Sequence, residues 1–169
     1  MVDRTQELLE VIPRLRRYAR ALTRDAEAAD ELVQDCLERA WSRLALWRPG
    51  SNMRSWLFTI LHNLYVNRVR QAARRPAVMP LDRLAPAAAS VRPTQDSALE
   101  AQGILAAMNR LPEDQRQVLL LVGLEGMSYR QAAKTLGIPT GTVMSRLSRG
   151  REQLRRDMAG DDPKIGRVK

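Results

Sequence analysis

The sequence predicts an all-α protein of two small helical domains joined by a Pro/Ala-rich linker. Apolar residues recur at helical spacing through several long stretches. Between 76 and 94 the composition shifts to Pro76, Pro80, Pro86 and Pro93 around the run Ala87-Ala88-Ala89, which suits an extended or disordered connection rather than a helix. Residues 127–156 read as helix, turn, helix. A chain of 169 residues fits two such domains better than one compact helical unit. The expected division is a first domain over 1–75, a linker over 76–95, a second domain over 96–158 and a disordered tail over 159–169.

In the first domain, residues 6–23 place Leu8, Leu9, Ile12, Leu15, Ala19 and Leu22 on one side of a helix, with Arg14, Arg16, Arg17 and Arg20 on the other. Pro13 falls inside this pattern, so a kink or a division into two pieces is expected. Residues 25–46 follow as a helix whose buried stripe is Leu32, Val33, Cys36, Leu37, Ala40, Trp41 and Leu44. Acid gathers here in a basic protein: Asp25, Glu27, Asp30, Glu31, Asp35 and Glu38. Two readings fit. Acidic side chains near a helix N-terminus complement its dipole, or the cluster pairs with a basic protein surface.

Pro49-Gly50 breaks the chain, and Ser51 or Asn52 can cap the next helix. That helix spans 53–75. Trp56, Leu57, Ile60, Leu61, Leu64 and Val66 form its apolar side, while Asn63, Asn67, Arg68, Arg70, Arg74 and Arg75 are polar or basic. Aromatic, Asn and Arg side chains at helical spacing suit a surface that stacks and bonds unpaired bases. Trp56 also fits a core.

The second domain begins with a helix over 98–111. Pro112 then stands at a first-turn position with Glu113 and Asp114 behind it, opening a mostly buried helix over 115–124 that Gly126 ends. Ser128 can cap a helix carrying Ala132, Ala133 and Leu136, and Gly137 supplies the left-handed stop. Thr140 can cap a second helix whose Val143, Leu147 and Leu154 return on one face. With these turned inward, Gly141, Met144, Ser145 and Ser148 face outward and Arg146 and Arg149 lie on the flanks. Short outward side chains let a helix approach base edges, and flanking arginines bond phosphates or a guanine. The alternative is an ordinary αα-hairpin with a solvated basic face.

A formal charge of +9 points to a polyanionic partner. No apolar run has the length of a spanning helix, so no membrane insertion is expected. The acidic opening MVDRTQELLE is unlike a signal peptide, so a cytoplasmic location is expected. Cys36 and His62 are each the sole residue of their type. That leaves no catalytic constellation, no metal site and no cofactor to expect.

Three blocks, in order around the linker, resemble one family. These are Asp30-Glu-Leu-Val-Gln-Asp35 through Trp41; Asn52-Met-Arg-Ser-Trp-Leu57 through Ile60 and Asn63; and Leu111-Pro-Glu-Asp-Gln-Arg116 with Ser128-Tyr129 and Gly141-Thr-Val-Met-Ser-Arg-Leu147. They are similar to sigma factors of the extracytoplasmic-function (ECF) group, which carry only the second and fourth sigma domains. The block over 49–60 looks most like the alphaproteobacterial general-stress subgroup, in which a small anti-sigma protein sequesters the factor.

The resemblance implies a sigma region 2 bundle over 1–75, a region 4 helix-turn-helix over 96–158, and an alternative sigma factor that directs promoter-specific initiation. It implies that Asp30, Glu31, Gln34, Asp35 and Glu38 bind the β′ clamp helices of core RNA polymerase, with a further contact to the β flap. Ser51, Asn52, Met53, Asn63, Asn67, Arg68 and Arg70 would meet the minus-ten element, including a flipped base. Thr140, Gly141, Thr142, Met144, Ser145, Arg146, Ser148 and Arg149 would meet the minus-thirty-five element. Met144 stands where the family usually has Lys or Arg, and Ser148 and Gly150 replace bulkier residues. The rival reading is a sigma mimic that binds an anti-sigma protein without touching a promoter.

Overall fold

The computed structural model describes residues 3–75 and 95–160. Within them there are helices and turns but no strand, and the fold class read from the sequence holds. The described helices group into two compact units. Most of the expected linker, and the tail beyond Gly160, lie outside the described residues.

The first unit is built from α1 (Arg4–Thr23), α2 (Ala26–Ser42) and α3 (Met53–Arg74). Asp3 caps α1 by accepting from the Thr5 N–H at 3.1 Å. The helix runs unbroken through Pro13. Pro13 and Leu9, whose carbonyl loses its helical partner, both lie on the exposed side of the helix, away from the core. The buried stripe is therefore Leu8, Val11, Leu15, Tyr18, Ala19 and Leu22, and the expected Leu9 is half exposed. Arg24 adopts φ +59 in the two-residue turn before α2, and Asp25 caps α2 through the Ala28 N–H at 2.8 Å.

α2 ends at Ser42, shorter than expected, and continues as a 3₁₀ turn over Leu44–Leu46. Its core side is Ala29, Leu32, Val33, Cys36 and Ala40. Trp41 is not in that stripe. It is 62 % exposed, because the position next to Ala40 rotates past the α2 seam onto the surface. Trp47 fills the end of the unit instead, buried with the Arg4 guanidinium 5.9 Å above its ring. Asn52 is the cap of α3 and accepts from the Ser55 N–H at 2.9 Å. Phe58 of α3 meets Tyr18 of α1 with ring centroids 5.1 Å apart, and the Cys36 thiol donates to the Leu57 carbonyl at 3.5 Å.

The second unit holds α4 (Gln95–Arg110), α5 (Glu113–Leu119) and α7 (Thr140–Gly160); α6 (Tyr129–Leu136) precedes the turn into α7. Pro112 precedes α5 rather than opening it, and its carbonyl accepts from the Gln115 and Arg116 N–H groups at 3.1 and 3.0 Å. α5 widens into a π-helical turn over Leu120–Leu124. Gly126 at φ +64 then lets the Met127 N–H return to the Leu121 carbonyl at 2.9 Å, closing the end.

Ser128 forms a reciprocal cap on α6: its hydroxyl accepts from the Gln131 N–H at 3.2 Å, and the Gln131 side chain accepts from the Ser128 N–H at 3.0 Å. Gly137 takes φ +67. The carbonyl of Pro139, whose backbone is already set for helix entry, accepts from Thr142 and Val143. Thr140 is thus the first residue of α7 and not its cap. α7 continues through residues 159 and 160, which were expected in the tail.

Gly150 of α7 packs against α5. A Cβ there would lie 2.8 Å from Leu119 Cδ1 and 3.4 Å from Gln115 Cβ, so only glycine fits without displacing Leu119. Gly150→Leu should destabilise the second unit by about 1–3 kcal/mol through overpacking, read as a lower urea midpoint. An unchanged midpoint would contradict a tight seam. Asn52→Ala should cost about 1 kcal/mol from the lost cap while Asn52→Asp retains most of it. Equal midpoints for the two variants would rule out a capping role.

Candidate nucleic-acid and partner surfaces

Asp30, Glu31, Gln34, Asp35 and Glu38 all lie exposed on α2. Gln34 donates to Glu38 at 3.2 Å, and Arg20 of α1 approaches Asp30 at 3.9 Å. The acid in the first turn of α2 is Glu27, so the helix dipole accounts strongly for none of Asp30, Glu31, Asp35 and Glu38. Asp35 and Glu38 fall in the C-terminal half of Ala26–Ser42, where a negative charge gains nothing from it. Asp35, Glu38, Arg39, Ser42 and Arg43 line an open groove against Leu64 of α3.

Arg68, grouped by sequence with the promoter residues, reaches across from α3 into this acidic strip. Its guanidinium lies 2.5 Å from Asp35 and 3.9 Å from Glu31. Asn63, Asn67 and Arg70 are exposed further along α3. Asn63 and Asn67 are four residues apart and therefore stacked on one face. In the preceding loop, the Ser51 hydroxyl donates to the Arg48 carbonyl at 2.7 Å, and the Asn52 carboxamide is engaged as the cap. Met53 is 5 % exposed. Its side chain lies in the core of the first unit, unlike the exposed Ser51 and Asn52 before it. The first turn of α3 buries this apolar residue under the loop.

On α7, Thr140, Gly141, Met144, Ser148 and Arg149 are exposed, while Thr142, Ser145 and Arg146 are half-buried. The Ser145 hydroxyl donates back to the Thr142 carbonyl at 3.1 Å, as serines inside helices do. Arg146 is held by Asp114 of α5, with Nε 3.3 Å from Oδ2. Met144 and Ser148 share a shallow groove with Tyr129, Leu147, Arg151, Glu152 and Arg155. Glu152 bonds Arg155 at 2.6 Å and Arg156 at 3.2 Å, which draws those two cations away from a free basic stripe.

Burial pushes the Cys36 thiol up to about 12, against a small opposing effect from the Leu61 backbone, so at neutral pH it carries no thiolate. Among the described residues no group of three or more His, Cys, Asp or Glu side chains could hold a metal ion. No described helix is long and apolar enough to cross a membrane.

Comparison with known proteins gives the surfaces a context. Residues 8–62 match the family model for the Sigma2 domain of PhyR, and residues 101–154 match that for Sigma-70, region 4. The ECF RNA polymerase sigma factor EcfG of Rhodopseudomonas palustris is 40% identical over 148 residues, spanning 88% of this chain and 81% of the relative. The ECF sigma factor SigE of Mycolicibacterium smegmatis is 36% identical over 84% of this chain and 56% of its own length. Among solved structures, the sigma factor RpoE in complex with the anti-sigma factor NepR from Bartonella quintana is 38% identical with a TM-score of 0.77, covering 93% of this chain and 97% of that one. CnrH in complex with the cytosolic domain of CnrY is 25% identical with a TM-score of 0.66, covering 95% and 92%. The chain belongs to the ECF family of RNA polymerase sigma factors.

Proposed function

We propose that the three surfaces divide the work of an alternative sigma factor. The acidic face of α2 binds the β′ clamp helices of core polymerase. Asn63 and Asn67 of α3 capture an unstacked base of the minus-ten element while Arg70 and the following arginines hold phosphates. α7 anchors the minus-thirty-five duplex, and the second unit also meets the β flap. The observation that carries this reading is the placement of Asp35 and Glu38, exposed where the helix dipole does not favour them. Trp41, 62 % exposed, stands one turn from Glu38. An exposed tryptophan is a residue type enriched at protein interfaces, and the acidic strip beside it complements a basic partner surface.

A small anti-sigma protein is the expected regulator, in the cytoplasm where polymerase works. The similarity to RpoE, solved with NepR, supports that partner class. A second reading, a sigma mimic without promoter contacts, draws on the first unit's match to the Sigma2 domain of PhyR. The 40% identity to EcfG and the exposed Asn63, Asn67, Arg70 and Arg149 favour the promoter-binding reading.

The surfaces are separable by experiment. Asp35→Arg should weaken core binding about tenfold, the scale of losing one good interface contact. Asn63→Ala should leave core affinity within about twofold and lower open-complex yield about tenfold, the scale of one lost base contact. Core affinity unaffected by Asp35→Arg would return the acidic strip to a solvated face. Normal open complexes with Asn63→Ala would remove that residue from base capture.

A further inference from the structure

We infer that Asp114, on α5 and outside every surface assigned above, is a positioning residue for duplex recognition: it holds Arg146 with the outer edge of its guanidinium turned to DNA. The inference rests on the reading that α7 meets the promoter duplex.

Both ends of the contact are fixed. Asp114 Oδ1 accepts from the Gln115 N–H at 2.9 Å, which orients the carboxylate against the α5 backbone. Its other oxygen takes Arg146 Nε at 3.3 Å. With Nε occupied, the two terminal nitrogens still carry four N–H donors, the planar fork that meets a phosphate or the O6/N7 edge of a guanine. The helix seam sets the spacing. Arg146 lies one turn before Gly150 on α7, and the Gly150 position packs on Gln115, the neighbour of Asp114. The close approach at Gly150 therefore brings Asp114 and Arg146 into register. Without the carboxylate, a long side chain of many rotamers would have to be ordered at the moment of binding.

A purely structural role does not account for the pair. Asp114 is 48 % and Arg146 28 % exposed, and such partly hydrated ion pairs add little to folding. Charge alone predicts the opposite of positioning. A carboxylate near DNA repels phosphates, so its removal should tighten binding to every sequence.

That opposition of sign gives the test. Holoenzyme reconstituted with core polymerase would first select a preferred minus-thirty-five sequence from a randomised library. Affinity for the selected and a scrambled upstream element would then be measured for Asp114→Ala, Asp114→Asn, Arg146→Ala and the double variant. Asp114→Ala should bind the selected element about five- to tenfold more weakly, the scale of one impaired base or phosphate contact, while binding the scrambled element as well or better. Asp114→Asn should restore only part of the preference, since its single carbonyl oxygen can accept from Arg146 Nε or from the Gln115 N–H but not from both. In the Arg146→Ala background, Asp114→Ala should leave the preference unchanged. Uniformly tighter binding by Asp114→Ala, or an equal loss of preference without Arg146, would overturn the inference. A wild-type holoenzyme with no upstream preference would overturn the reading of α7 itself. Urea midpoints on the same variants separate either result from misfolding.

Discussion

The approach of α5 to α7 at Gly150 governs what the second unit can present. Leu119 occupies the space a side chain at 150 would take, so the roll of α7 about its own axis is fixed there. Val143 and Leu147 are buried as a result, and Thr140, Gly141, Met144, Ser148 and Arg149 are left outside. A 21-residue helix is roughly 30 Å long, so a small rotation forced at Gly150 would displace the outward residues at its N-terminal end. The glycine weakens the helix locally by about 1 kcal/mol. It leaves room for Leu119 of α5 in return, and α7 also pairs Asp157 with Arg110 of α4 at 3.5 Å.

The first unit obeys a related constraint. Three helices of 17 to 22 residues can bury only one side of each, and Tyr18, Phe58, Cys36 and the leucines around them consume that side. Everything else is surface. The acidic strip and the Asn/Arg face consequently lie on adjoining helices. Arg68 links them, sharing its guanidinium with Asp35 and Glu31. A partner bound on α2 and a nucleic acid bound along α3 would meet at this side chain.

Much of this was legible because helical periodicity and local capping are properties of a few neighbouring residues. Leu8, Leu15, Ala19 and Leu22 of α1, Leu57, Ile60 and Leu61 of α3, the cap at Ser128, Asn52 as one of two candidate caps, and the left-handed Gly137 follow from spacing and side-chain chemistry alone. What sequence missed depends on partners distant in the chain. Trp41 fitted an apolar stripe, but the end of the seam turns it outward. Met53 adjoins the exposed loop, but the first turn of α3 places its side chain in the core. Periodicity put Arg146 and Arg149 on equivalent flanks, and only packing against α5 gives Arg146 an acidic neighbour. Gly150 looked like a weak point in a helix until Leu119 was seen beside it. The family match added what physics at this level does not specify, namely that the chain is an ECF RNA polymerase sigma factor.

A sigma factor must bind polymerase and promoter at the same time, and the chain carries distinct surfaces suited to each. The most direct measurement is in-vitro transcription with purified core polymerase, with and without this protein, on a promoter library from the source genome. Transcripts that depend on the protein and share two spaced upstream elements are the predicted result. Core binding without any selective transcript would contradict it and point to a mimic. Absence of core binding would leave only a DNA-binding helical protein.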